Sequence, residues 1–185
     1  MNVSARKDQW KFRTTLREAL TLDAHFYEDA PNTRKTRRVA KTIVIVAAIS
    51  YALGNAFILL INRVGITAFV FALILNVISV ILGYYFWTFT IWKIGDRFKP
   101  RHVTYQELLV PIGFAYAPQV FNFLTLIPLI GIPIQLVLAV WSLLAVIVAV
   151  RQGLDISNVW AAVICLIGWP LIQLAVGSVQ ILFTN

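Results

Sequence analysis

Four long stretches without a charged residue constrain this chain more than any other feature. They cover residues 42–62, 64–92, 108–150 and 156–185. A helix needs about 20 mostly apolar residues to cross the hydrocarbon core of a bilayer. Soluble domains contain about a quarter charged residues, whereas this chain contains 13% and is 59% hydrophobic. Backbone groups in lipid must be satisfied internally, so the sequence predicts an all-α, polytopic membrane protein.

The third stretch is long enough for two helices, and its middle contains helix-breaking residues. Pro128, Gly131 and Pro133 lie close together there. Proline lacks the amide donor that a helix interior needs, but it suits the first turn of a new helix. We therefore predict a tight hairpin at Gly131, with Pro133 opening the next helix. The five predicted spans are approximately 40–62, 66–93, 105–129, 133–151 and 157–182.

The distribution of lysine and arginine predicts the orientation. Ten lie before the first span, and the successive loops and the C-terminus then carry 1, 4, 0, 1 and 0. Basic residues concentrate on the cytoplasmic side of membrane proteins. We therefore expect a plasma (inner) membrane protein with a cytoplasmic N-terminus and an external C-terminus. The basic residues that produce the net charge of +8 are concentrated on the predicted cytoplasmic side of the membrane. We therefore do not expect nucleic acid as a partner.

The segment before the first span, residues 1–38, predicts a basic cytoplasmic region separate from the transmembrane domain at 39–185. Apolar residues follow helical spacing within it, at Phe12, Leu16, Ala19, Leu20 and Phe26. Basic residues fill much of the opposite face, which predicts an amphipathic helix with Trp10 as an anchor at the membrane interface. The alternative is a helix packed against the protein's own cytoplasmic loops, and the sequence leaves the two open.

A basic cluster follows this segment, at Arg34, Lys35, Arg37, Arg38 and Lys41. Each basic residue near a membrane surface favours anionic headgroups by about 1 kcal/mol. The cluster is therefore a candidate headgroup site, and its minimal role is to fix topology. We expect membrane lipids, other membrane proteins or a second copy as partners.

Residues suited to catalysis or metal binding are scarce. Both histidines, His25 and His102, and all eight acidic residues fall on the predicted cytoplasmic side. Cys165 lies in an apolar stretch without neighbouring ligands in sequence, which favours a small buried hydrophobe. Ion-coupled transport usually needs ionisable residues within the spans. We therefore expect no enzymatic activity, no cofactor and no metal.

Two features of the spans predict helix packing and a possible cavity. Ala48, Ala52 and Ala56 recur every fourth residue in the first span, a spacing that lets helices approach closely. The third span contains helix-disrupting residues and polar groups, which predict a kinked or partly unwound helix beside a possible cavity. The kink and cavity candidates are Pro111, Gly113, Tyr116, Pro118, Gln119 and Asn122. The polar residues predicted at depth are Asn55, Asn76, Gln119, Asn122, Gln135 and Gln173.

Several short motifs resemble the prokaryotic members of the YIP family, the Ypt- or Rab-interacting membrane proteins. Residues 22–29 resemble the family's entry segment, and residues 116–118 with 126–131 resemble its third span and hairpin. Residues 141–143, 150–157 and 160–162 resemble its fourth span, cytoplasmic turn and fifth span. The likeness covers roughly residues 20–180 and implies five spans with a cytoplasmic N-terminus.

The resemblance implies little about chemistry. Eukaryotic relatives bind small GTPases and act in vesicle traffic, but the Asp-Leu-Tyr-Gly-Pro pattern of some of them is absent here. We therefore do not extend GTPase binding to this chain. Three hypotheses remain: a non-enzymatic membrane scaffold or adaptor, an accessory subunit of a respiratory or photosynthetic complex, and a passive transporter or lipid-handling protein built on the kinked third span.

Overall fold

The structure is a computed structural model that describes residues 10–63, 65–98, 103–127 and 129–167. No strand occurs among these residues. The elements are α1 (Phe12–Leu20), α2 (Ala24–Glu28), α3 (Arg34–Ile61), α4 (Ile66–Phe98), α5 (Tyr105–Phe114), a 3-10 segment (Ala117–Leu126), α6 (Gly131–Leu154) and α7 (Asn158–Ile167).

Three of these helices, α3, α4 and α6, are long and apolar enough to cross a membrane. The third predicted span is a broken one, because α5 and the 3-10 segment together meet the same test but are bent by 43°. The apolar helix α7 is shorter and reaches the end of the described residues. The rest of the predicted fifth span, with Trp169 and Gln173, lies outside them, so the described residues contain three to four candidate spans.

The first spanning helix begins inside the basic cluster rather than after it. Thr33 caps α3, because its Oγ1 accepts from the amide of Thr36 at 3.2 Å while Thr36 Oγ1 accepts from the amide of Thr33 at 3.0 Å. This reciprocal pair satisfies two amides that lack helical partners. The cap therefore places the cluster in the first two turns of α3, whereas the sequence analysis put the domain boundary at residue 38.

The hairpin between the 3-10 segment and α6 also starts its second helix early. Leu129 takes a left-handed conformation with φ 70°, and α6 begins at Gly131, two residues before the predicted start. Pro133 lies in the first turn. The first amides of a helix have no helical acceptor, so a proline there forfeits no hydrogen bond.

The core forms where α3 packs against α4, α5 and the 3-10 segment. Close approaches between helices depend on small residues, as at Gly113, where an added Cβ would lie 2.9 Å from the Cβ of Ala40. At Gly153 an added Cβ would lie 2.8 Å from a methyl group of Leu108, which brings α6 against α5. The three alanines of the predicted packing row are all buried.

Candidate functional site

The break in the third span is buried throughout. Residues 111–118, which include both prolines, Gly113 and Tyr116, are all buried. The α-helix ends at Phe114, and the chain continues as a 3-10 helix from Ala117, with Pro118 in its first turn. A 3-10 helix this long is uncommon because its hydrogen-bond geometry is poorer than that of an α-helix. Its backbone therefore depends on side chains from neighbouring helices.

Two residues of other helices bond to the backbone of the broken span, Ser50 to its 3-10 segment and Tyr84 to α5. Ser50 of α3 donates from Oγ to the carbonyl of Val120 at 2.7 Å and accepts from the amide of Phe123 at 2.8 Å. Tyr84 of α4 donates from its hydroxyl to the carbonyl of Leu109 at 2.6 Å. Neither residue was predicted from sequence to support the break. A serine or tyrosine at membrane depth needs a partner, which is the signal that could have identified them.

A polar cavity of about 250 Å³ borders one end of the broken span. It lies between α3, the 3-10 segment and the start of α6. Its polar lining comes from Tyr51, Asn55, Asn122, Thr125 and Gln135. The structure thus brings together three of the polar residues predicted at depth. Of the predicted kink and cavity residues, only Asn122 is in its lining; the others lie elsewhere along the break.

An apolar groove of about 450 Å³ lies on the other side of the 3-10 segment. It is lined by side chains of α1, the 3-10 segment and α6, among them Leu20, Phe121, Val137 and Trp141. All of its accessible lining is apolar. Such a groove offers shape and hydrophobic surface but no hydrogen bond for a ligand.

The N-terminal segment packs against the helices of the protein itself. Trp10 is 7% exposed, and its ring lies 5.6 Å from Phe26 and 5.9 Å from Phe114, centroid to centroid. Trp141 of α6 donates from Nε1 to the carbonyl of Leu20 at 3.2 Å. Phe114 and Trp141 belong to the apolar helices α5 and α6, whereas the alternatives from sequence were the membrane surface or the cytoplasmic loops.

Polar and charged groups of this segment lie around these contacts. The Tyr27 hydroxyl donates to the carbonyl of Ala19 at 3.0 Å and joins α2 to α1. Burial raises the pKa of the Glu18 carboxyl, with a further increase from Asp23 and an opposing effect of Arg17. Burial therefore disfavours the charged form of Glu18.

The five residues of the basic cluster have different surroundings on α3. Arg34, Lys35, Arg38 and Lys41 are exposed, whereas Arg37 is half-buried and donates from Nε to Asn32 Oδ1 at 2.7 Å. Arg37 and Lys41 line a cleft between α3, α4 and α5. The cluster is therefore not one uniform surface.

The described residues contain no group of three or more His, Cys, Asp or Glu side chains close enough to hold a metal ion. Cys165 is buried on α7. The prominent chemical features are thus hydrogen-bonding amides at one end of the broken span and cations at the other.

The long apolar helices and the side-chain-supported break define an α-helical membrane protein with a broken third span. A family model of the Yip1 domain matches residues 20–179, and the chain belongs to that family. This match confirms the resemblance to the YIP family. The comparisons with curated proteins and with solved structures found no match.

Proposed function

We propose that this protein is a non-enzymatic scaffold or adaptor of the membrane. It acts through lateral helix contacts in the bilayer and through its basic cytoplasmic face. The observation that carries the proposal is a stripe of bulky apolar side chains along α4. Its members recur every three or four residues and are 45–62% exposed: Phe71, Ile74, Ile78, Leu82, Phe86 and Phe89.

The stripe is suited to lateral contact because of how α4 is placed. Within the described residues this helix packs chiefly against α3 and α5, which leaves one side of it free along most of its length. Residues spaced three and four apart form one continuous helix face. A helix of another protein, or a second copy, can therefore lie along this stripe without displacing a contact of the core.

The proposal includes five spans, a cytoplasmic N-terminus and an external C-terminus in the plasma (inner) membrane. The distribution of basic residues supports this topology, because ten of sixteen precede the first charge-free stretch. Reporter fusions at residue 63, at residue 130 and at the C-terminus test it. We expect external reporters to be active at all three positions and an internal reporter to be active at Arg151.

The scaffold proposal is tested by purification of the tagged protein from native membranes in a gentle detergent, with bound proteins identified by mass spectrometry. The stripe variant I74A/I78A is compared with V137A/V140A, which removes the same type of exposed surface from α6. We expect the stripe variant to lose its partner, or its second copy, at least about tenfold relative to the control, because several contacts are removed together.

Two results of this experiment would contradict the proposal. A protein that carries only lipid, alike in both variants, would remove the lateral-contact role. A stoichiometric set of respiratory or photosynthetic subunits would establish the accessory-subunit alternative instead.

A second candidate, a passive transporter or lipid-handling protein, is favoured by the polar cavity beside Asn122. Broken helices in membranes line cavities and substrate paths. Proteoliposome assays of solute flux and of lipid exchange test this candidate, with Asn122→Leu as the variant. We expect the protein to raise solute flux or lipid exchange above the rate in protein-free liposomes, and Asn122→Leu to lower that rate. Rates equal to those of protein-free liposomes would eliminate the candidate.

A further inference from the structure

A cleft of about 220 Å³ lies where the first turns of α3 and α5 meet α4 at Tyr84. Two cations of α3, Arg37 and Lys41, form one wall. Tyr84 and the first turn of α5, with Tyr105 and Gln106, form the other side. Leu109, Val110 and Ala40 provide apolar lining. The cleft therefore combines cations, polar side chains and apolar surface in one small volume.

Among the described residues, no carboxylate pairs with the cations of this cleft. Arg37 and Lys41 are four residues apart and so share one helix face. The guanidinium of Arg37 donates from Nε to Asn32 Oδ1 at 2.7 Å. That bond uses Nε and holds the guanidinium in position while its terminal nitrogens keep their donors.

The polar groups around the cations favour an anion with several oxygens. The hydroxyl of Tyr84 donates to the carbonyl of Leu109, and that of Tyr105 donates to the carbonyl of Tyr85 at 3.2 Å. The donors left to face the cleft are those of Arg37, Lys41 and the Gln106 amide. Glu107, the nearest carboxylate in sequence, accepts from the amide of Thr104 at 2.8 Å, so its charge is held in the helix cap.

The cleft lies at the boundary of the apolar part of the chain. Lys41 is the last charged residue before the charge-free stretch at 42–62, and Glu107 is the last before that at 108–150. Lipid phosphates lie at this level of a membrane, next to the hydrocarbon core. A lipid whose phosphate is held by the cations would place its acyl chains beside the apolar surface of α3 and α5.

We propose that this cleft is a binding site for a phosphate group, as carried by the headgroup of an anionic lipid. Arg37 and Lys41 contribute charge-assisted hydrogen bonds, and Gln106 donates a third. The inference rests on the proposed role of the basic cytoplasmic face and narrows it from five basic residues to two. The other three members of the cluster, Arg34, Lys35 and Arg38, are not part of the cleft lining.

The test compares two variants of equal charge. R37Q/K41Q removes the cleft cations, and R34Q/R38Q removes two exposed cations of the same helix turns. Each full-length protein in nonionic detergent is titrated with short-chain phosphatidylglycerol, and bound lipid is counted by native mass spectrometry. We expect affinity to fall at least about tenfold in the cleft variant, because it removes two donors that meet at one phosphate. We expect a fall of no more than about threefold in the control, which removes only a general attraction that salt screens.

A second pair of variants keeps the proposal testable if the cleft variant does not fold. Q106E places a negative charge in the cleft without a change of size, and Q152E adds the same charge at the cytoplasmic end of α6. We expect Q106E alone to lose phosphatidylglycerol binding, and R37K with K41R to retain it. Equal losses in both members of each pair would overturn the proposal, because general electrostatic attraction would then account for the binding.

Competition with inorganic phosphate distinguishes the two sources of the ligand. If millimolar phosphate displaces the lipid from the wild type, the site recognises the phosphate group alone; if it does not, the lipid chains contribute to binding. Absence of binding by both ligands in the wild type would overturn the inference. The scaffold proposal would then still be judged by its own pull-down, because the I74A/I78A variant leaves the cleft intact.

Discussion

The unbroken helix α4 and the broken pair of α5 and the 3-10 segment both belong to the apolar part of the chain, yet their backbones are satisfied differently. Helix α4 runs for 33 residues and satisfies its backbone within itself. The broken pair is buried at its break, residues 111–118, and accepts backbone hydrogen-bond support from Ser50 and Tyr84. The composition of α4 is therefore sufficient to explain its helix, whereas the broken span also depends on side chains of neighbouring helices.

The largest difference is expected at matched phenylalanines. Phe114 is fully buried against Trp10 and Phe26, whereas Phe86 of α4 is 46% exposed. Phe114→Ala should lower the free energy of unfolding in mixed micelles by about 3 kcal/mol, because it leaves a cavity. Phe86→Ala should change it by about 0.5 kcal/mol or less. Similar losses in the two variants would remove the distinction between the regions.

A matched pair of glycines tests the close approach of α3 to the 3-10 segment. A Cβ on Gly54 would collide with Thr125 Oγ1 and the carbonyl oxygen of Asn122, whereas a Cβ on Gly83 would meet nothing within 4 Å. Gly54→Ala should destabilise by about 2 kcal/mol through overpacking. Gly83→Ala should be neutral or stabilise by up to about 1 kcal/mol, because alanine favours helix. Thermal unfolding in detergent measures both, and a stable Gly54→Ala would contradict the packing described here.

The next largest loss in the free energy of unfolding is expected when the hydrogen bonds that support the break are removed. Ser50→Ala leaves the carbonyl of Val120 and the amide of Phe123 without this partner and should cost about 1.5 kcal/mol. Thr90 of α4 donates to the carbonyl of Phe86 at 3.0 Å, within its own helix. Thr90→Ala should therefore cost about 0.5 kcal/mol or less. Hydrogen exchange of the 3-10 segment should rise only in the Ser50 variant; unchanged exchange there would argue against the support role.

The smallest effect on the free energy of unfolding is expected when a hydrogen bond between α3 and α4 is removed. Asn55 Nδ2 lies 3.5 Å from Asn76 Oδ1, at the long limit of a hydrogen bond. Asn55→Ala should lower the free energy of unfolding by about 0.6 kcal/mol, the average for hydrogen bonds between membrane helices. A loss above about 2 kcal/mol would mean that α4 also depends on polar neighbours, and the two regions would then differ less than proposed.

Much of the broken span was predictable from sequence, because Pro111, Gly113 and Pro118 act on the backbone within a few residues of themselves. The partners of the break were not. Ser50 lies 70 residues from Val120, and Trp141 lies 121 residues from Leu20. No local period links such pairs, so neither the support of the 3-10 segment nor the docking of the N-terminal segment could be derived from hydropathy.

The basic cluster shows the same limit at the candidate site. Five cations within eight residues predicted a headgroup site, but sequence treats them alike. Helix geometry places Arg37 and Lys41 on one face, and only the packing of α4 and α5 turns that face into a cleft. The shared face of Arg37 and Lys41 follows from their spacing alone, whereas the cleft depends on the positions of Tyr84 and Gln106 in space.

The amino-acid sequence was sufficient to predict an α-helical membrane protein, the ends of its three long apolar helices to within six residues, and an interruption of the third span. Those properties depend on local composition, because transfer into lipid acts on each stretch of about 20 residues separately. The tertiary structure alone decided that the N-terminal segment packs on the bundle, that Ser50 and Tyr84 support the break, and that two of five cations line a cleft. Those outcomes depend on contacts between residues far apart in the chain, which only the packed helices bring together.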